Sequence, residues 1–266
     1  MPKTRTRRPA GSAIGDPSTR LVGLVPAAGR ARRLGRRAGS KELARIRSGA
    51  GELRPVAESL LEAMAEAGVE VAFTVLRDGK WDIPAHFSRP GPLRRPPLAY
   101  LVTPGTESVP ETLDLAYPFV RDAQVAFGFP DVRIRPRSAL AEVVAAARET
   151  ASDLTLGLFP SRQPDKTDMV ELDGERITGF RVKPGACELE YTWLLATWGP
   201  RFSRFLHDRL AAPDPARPVG GRLAEQQVSE VFAAALGAGL TVGARRFPDG
   251  TFIDVGTPED LERARE

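Results

Sequence analysis

Three consecutive stretches constrain the fold more than any other feature of the chain. "RLVGLVPAAG" (20–29) is a Leu- and Val-rich run that closes at Pro26 and a cluster of small residues, as a buried strand does. "RPVAESLLEAMAEAGV" (54–69) sets Val56, Leu60, Met64 and Ala67 at helical spacing, with Gly68 placed to end the helix. "VEVAFTVL" (69–76) is again apolar almost throughout. Strands that lack polar alternation, joined through a helix, are the grammar of a parallel sheet.

The alternation continues down the chain. "LAYLVT" reads as a strand, and "SVPETLDLAYPFV" as a helix opening at Ser108 and Pro110. "AQVAFGFPDV" is an apolar strand interrupted by Gly128 and Pro130 just before Asp131. "SALAEVVAAARETAS" is predicted helical with Ser138 as its cap, and "DLTLGLFP" is the next strand. "DMVELDGERITGFRVKP" reads as a hairpin turning at Asp173-Gly174, followed by a strand in "CELEYTWLLATWG". The helices "PRFSRFLHDRL" and "RLAEQQVSEVFAAALGAG" come next, the second with Val228, Val231, Phe232, Ala235 and Leu236 on a core-facing side. The chain closes on a strand, "FIDVGT", and a short helix, "PEDLERARE". Residues 77–98, rich in Pro, Arg and Gly, read as an irregular loop. The expected architecture is α/β: a Rossmann-like, mostly parallel sheet flanked by helices, with a small mixed-sheet lobe. One domain over 20–266 follows a basic, disordered tail at 1–19.

A chain of 266 residues that is 42% hydrophobic and 27% charged builds an ordinary core without a metal or disulfide framework. The single Cys187 excludes an intramolecular disulfide and fits a reducing compartment, so a cytoplasmic location is expected. No apolar run approaches the ~20 residues that span a bilayer, and no hydrophobic signal core follows the basic N-terminus. Net charge is +4, but it is unevenly placed: Arg30, Arg32, Arg33, Arg36, Arg37, Lys41, Arg45 and Arg47 crowd one segment. Such a field suits a polyanionic ligand. With no aromatic residue between Arg20 and Phe73, the cluster offers no base-stacking platform, which argues against specific nucleic-acid binding. Nothing in the pattern excludes a homo-oligomer.

Open parallel sheets bind ligands beyond the carboxyl ends of their strands. Three places therefore stand out: the basic turn after the first strand, Asp131, and Asp254 in "FIDVGT". In the turn, Ala27, Ala28 and Gly29 leave little side chain between backbone amides and a phosphate, and Arg33 and Lys41 add charge. Neither a Walker loop nor a dinucleotide fingerprint is present, so a phosphate cradle and a solvated basic turn both fit. Asp131 and Asp254, each an ordinary turn residue by itself, would together suit Mg²⁺. Lys183 in "RVKP" is a surface lysine unless the fold aims it inward.

Taken in order, these segments resemble the sugar-1-phosphate nucleotidylyltransferase family. "GLVPAAGRARRLGRRAGSKEL" is similar to its signature, roughly L-A-G-G-x-G-T-R-L followed by P-K. "FGFPDV" is similar to its L-G-D strand end, "RVKP" to its E-K-P segment, and "FIDVGTPEDL" to its D-T-G-T motif. The resemblance spans about residues 21–262 and implies the nucleotide-diphospho-sugar transferase type of fold. It makes Arg33 the residue that grips the triphosphate and Lys41 the phosphate-side lysine, with Ser40 in place of the usual proline. Asp131 and Asp254 become the Mg²⁺ ligands, and Lys183 holds the sugar phosphate. Leu24, Ala27, Ala28, Gly29 and Arg30 line the nucleotide, and Glu107 and Thr112 fall near the base. The implied reaction joins an NTP, dTTP or UTP by branch, to a sugar 1-phosphate and releases pyrophosphate.

His86, read in a loop, and His207, read on an amphipathic helix, take no role in this scheme, and the attacking phosphate oxygen, already an anion, needs no base. The sequence departs from the family at Ala28 and Ala31, which replace glycines, at Arg32, which replaces threonine, and at Val182, which replaces the glutamate of E-K-P. Those departures motivate an alternative: a relative that binds a nucleotide or nucleotide sugar as a regulatory or partner subunit, without turnover.

Overall fold

The computed structural model describes residues 19–29, 39–48, 51–212, 227–256 and 258–265. The first strand, β1 (Leu21–Ala27), leads through a short 3-10 turn at Lys41–Leu43 to β2 (Arg45–Arg47) and β3 (Leu53–Pro55). Then come α1 (Val56–Glu66), β4 (Val71–Arg77), α2 (Asp82–Phe87), β5 (Leu98–Thr103), α3 (Val109–Asp114) and α4 (Tyr117–Val120). The middle of the chain forms β6 (Gln124–Gly128), β7 (Val132–Arg135), α5 (Ala139–Thr150), β8 (Leu154–Pro160), β9 (Met169–Asp173) and β10 (Arg176–Arg181). It ends with β11 (Tyr191–Trp198), α6 (Pro200–Ala211), α7 (Val228–Gly237), β12 (Val242–Arg246), β13 (Thr251–Asp254) and α8 (Pro258–Arg263).

Nine strands form one sheet in the order β10-β9-β11-β6-β1-β4-β5, with β8 joining β11 to β12. The half built from β6, β1, β4 and β5 is parallel, as the uninterrupted apolar runs require. β11 runs antiparallel to β6, so the mixed part of the structure is the far end of this same sheet. Two small antiparallel pairs, β13 with β7 and β2 with β3, stand beside it.

Helices cover both faces. On one side Phe127 and Trp198 pack against Phe202 of α6 and Phe232 of α7, all nearly solvent-free. On the other, Leu60 and Met64 of α1 and Leu140 and Val143 of α5 press on Val25 and Ala126. Side chains so completely buried contribute roughly 1.5–3 kcal/mol each. β1 runs between these layers with Leu21 through Val25 buried, which is why it reads as an unbroken apolar stretch.

Some expectations are corrected. Within 77–98 lies α2, because Ile83 and Phe87, four residues apart, both bury their side chains on one face. Ser138 does not cap α5: its backbone is already helical, and its hydroxyl donates to Glu142 at 2.9 Å. Ser108 does cap α3, accepting from the Glu111 amide at 3.3 Å. Among the described residues no helix is long and apolar enough to cross a membrane.

Candidate functional site

β1 and β6 lie parallel and adjacent, with Leu24 paired to Phe127, so both chains leave the sheet on the same edge. Beyond β6 the chain passes Phe129 and Pro130 to Asp131, which is 8% exposed. β13 returns antiparallel to β7, pairing Asp254 with Val132, and the Val255 amide donates to the Asp131 carbonyl at 3.1 Å. This register brings the two carboxylates together although 123 positions separate them in the chain (254 less 131). Lys41 completes the cluster, its Nζ ion-paired with Asp131 Oδ2.

Lys41 and Asp254 respond to the charges around them. Burial works against the charge on Lys41, but Asp131, joined by Glu42 and Asp254, outweighs it and raises the lysine above its usual pKa. Asp254 is exposed at the edge of the cluster, yet the protein packed around it displaces enough water for that loss to be the largest effect on its carboxyl, followed by repulsion from Asp131. Lys41 and the Gly256 amide, which donates at 2.8 Å, pull the other way, and the carboxyl pKa rises to about 6. Two carboxylates in such mutual repulsion form a site whose chemistry fits a divalent cation. No group of three or more Asp, Glu, His or Cys side chains with metal-site geometry occurs among the described residues, so further ligands would come from substrate and water.

Lys41 is held from both sides in sequence. The Ser40 amide and hydroxyl donate to Asp82 at 2.6 and 2.7 Å. Glu42, 1% exposed, accepts two bonds from Lys80 Nζ, at 2.8 and 3.0 Å. Arg77 fastens the neighbouring wall: its Nε donates to the Ala28 carbonyl at 2.8 Å, and its other nitrogens donate to the carbonyls of Pro104 and Thr106. A Cβ at Gly105 would lie 2.0 Å from Arg77 Nη1 and would push the guanidinium off these carbonyls. Sequence pattern did not single out Arg77, Lys80 or Asp82. Their only local mark is a cluster of charge directly after a buried strand.

The structure unites Lys41, Asp131 and Asp254, and sets Gly29 next to them, within 4 Å of the Lys41 side chain when a Cβ is placed on the glycine. Ala27 and Ala28 lie buried at the exit of β1. Leu24 sits deeper, paired with strands on both sides, and its side chain belongs to the core. Thr112 is buried and donates its hydroxyl to the Ser108 carbonyl at 3.0 Å, while Glu107 is exposed at the mouth of the same loop. Lys183 lies exposed just past β10, with a left-handed φ of 40°, and no hydrogen bond or ion pair joins it to the cluster among the described residues. Arg30 and Arg33, with the rest of 30–38, lie outside the described residues. His86 and His207 are engaged elsewhere, with Glu58 and Asp114. A cavity of about 520 Å³ opens between α1 and β7 with Arg54, Arg133 and Arg135 in its wall, and none of the three clustered residues lines it.

A parallel half-sheet continued by antiparallel strands, with helices on both faces, is here the α/β fold of the nucleotide-diphospho-sugar transferases. Solved structures carry it across nearly their whole length. The chain is 17% identical to a UDP-glucose pyrophosphorylase from Acinetobacter baumanii, with a TM-score of 0.74 over 92% of each chain. It is 15% identical to a UDP-glucose pyrophosphorylase complexed with UDP-glucose, TM-score 0.75, over 92% of this chain and 97% of that one. To the inositol-1-phosphate CTP transferase from T. maritima it is 15% identical, TM-score 0.70, over 91% of both. No family model and no curated protein sequence matches the chain.

Proposed function

We propose that the protein is a Mg²⁺-dependent nucleotidylyltransferase that joins a nucleoside triphosphate, dTTP or UTP, to a sugar 1-phosphate. The observation that carries this reading is the meeting of Lys41, Asp131 and Asp254 at the exit edge of β1 and β6. Two carboxylates and a lysine, with no histidine or cysteine among them, suit a reaction between polyanions and offer little to acyl transfer or redox chemistry. An oxygen of the sugar 1-phosphate attacks the α-phosphorus, the bond from that phosphorus to the bridging oxygen breaks, and pyrophosphate leaves with the electron pair. The nucleophile is already ionised, so no base has to remove a proton. What the protein supplies is alignment and counter-charge.

Asp131 and Asp254 would hold the metal ion, which when bound supplies positive charge to the phosphate oxygens. Lys41, whose charge its neighbours favour, neutralises the phosphates from the side of the turn. Arg33 and Lys183 are proposed for the triphosphate and the sugar phosphate, and Ala27, Ala28 and Gly29 for backbone contact with the nucleotide. The test is pyrophosphate release with Mg²⁺, an NTP and a sugar 1-phosphate. Activity that needs all three supports the reading, and its absence with every pair refutes it.

One observation favours the second reading, a nucleotide-binding relative without turnover. The Lys41–Asp131 ion pair ties the phosphate-side cation to a metal-side carboxylate, and an enzyme has to part or share that contact on binding its substrate. Nucleotide-dependent thermal stabilisation without pyrophosphate release is the expected signature of this alternative.

A further inference from the structure

Two carboxylates and a lysine do not by themselves explain why Lys41 stands where it does. It belongs to a 3-10 turn of only three residues, Lys41–Leu43. The residues on either side of it are both fastened to one other segment. Ser40 gives its amide and its hydroxyl to the two oxygens of Asp82, at 2.6 and 2.7 Å. Glu42 is buried and paired with Lys80. Gly39 has a φ of 103°, which favours glycine, and a Cβ there would come within 3.3 Å of Asp82 Oδ2.

Ser40 adopts φ −68°, the value a proline ring fixes covalently, with an extended ψ of 137° that proline also accepts. A carboxylate that takes the amide and the hydroxyl of one residue restrains the same torsions by charge-assisted hydrogen bonds. Asp82 also opens α2, where an acidic side chain can favour a helix start, yet both of its oxygens are turned to Ser40. We propose that Asp82 is a positioning residue for Lys41: acting through Ser40, it fixes the turn that delivers the lysine ammonium to the Asp131 carboxylate. It performs by hydrogen bonding what a proline at position 40 would perform by ring closure.

The inference rests on the transferase reading for its consequence, but its geometry can be tested without turnover. In the full chain, Asp82→Ala lowers kcat by about 10²-fold, the scale of loss expected when a reacting constellation is misplaced by about 1 Å, with a much smaller change in KM for the acceptor. Adding Ser40→Pro to that variant recovers most of the loss, because the ring fixes φ at position 40 without Asp82. A merely structural role for Asp82 at the start of α2 gives no such rescue. In parallel, acylation of Lys41 by an amine-reactive ester is followed by mass spectrometry, with exposed Lys166 as the internal reference. Lys41 labelling rises severalfold in Asp82→Ala and falls again in Asp82→Ala/Ser40→Pro. Unchanged kcat and labelling in Asp82→Ala, or a double variant no better than the single one, overturns the proposal. If the alanine variant does not fold, Asp82→Asn, which can accept only one of the two bonds, is read in the same way. Should the wild type release no pyrophosphate, the transferase reading fails while the labelling series still decides the role of Asp82.

Discussion

Asp131 does two things in one buried position: its backbone carbonyl fixes the returning β13, and its carboxylate meets Lys41 and faces Asp254. Asp131→Ala is therefore expected to abolish pyrophosphate release while circular dichroism stays native, since only the backbone half of its role is structural. Retained turnover would remove Asp131 from the site. Lys41→Ala is expected to lower kcat by roughly 10²–10³-fold, the range for deleting one preorganised charge from a transfer site, measured with saturating nucleotide. At this scale the sequence was informative where chemistry and position coincide. Lys41, Asp131 and Asp254 each follow a readable element or motif. Asp82 and Arg77 were not legible, because their partners Ser40 and Ala28 lie 42 and 49 positions away and hydrogen bonds between loops leave no periodic trace. Thr112 had a readable type but not a readable environment: its hydroxyl is engaged by the Ser108 carbonyl and by the Thr106 hydroxyl of the preceding loop.

The elements that carry the cluster are fixed by packing at points that can be probed singly. Gly250 precedes β13, and a Cβ there would lie 2.7 Å from Phe159 Cδ1 and 2.8 Å from Phe247 Cβ, two residues whose rings stack at 4.9 Å. Gly250→Ala should cost about 1–3 kcal/mol by overpacking and lower turnover as well, since β13 ends in Asp254; denaturant unfolding and pyrophosphate release measure the two effects. Ser108→Ala removes the cap of α3 and should cost roughly 0.5–2 kcal/mol, read by the same unfolding series. Long, strongly patterned elements such as β1, α1 and α5 could be read directly from apolar spacing. β2, β3, β7 and β12 could not. They are three to five residues long and rich in arginine, and they become strands only because a partner strand supplies the pairing, close in sequence for Arg47 with Leu53 and distant for Arg133 with Ile253.

For the molecule as a whole, the β/α alternation foretold the parallel half-sheet, and a right-handed crossover through α1 is the connection such a unit favours. That β9 and β10 extend the same sheet was not foreseeable from the hairpin itself. It depends on β11 pairing with β6, β8 and β9 together, which no local pattern encodes. A nucleoside triphosphate with Mg²⁺ should raise the melting temperature, by an amount equivalent to about 2.7 kcal/mol at a hundred times its Kd. Both functional readings expect that rise, so turnover must separate them. The most direct measurement is pyrophosphate release by the full chain, with each of the four common NTPs and dTTP in turn, against a panel of sugar 1-phosphates with Mg²⁺. Release is expected with at least one pair, dependent on both substrates and lost in Asp131→Ala. Nucleotide binding without release from any pair would contradict it.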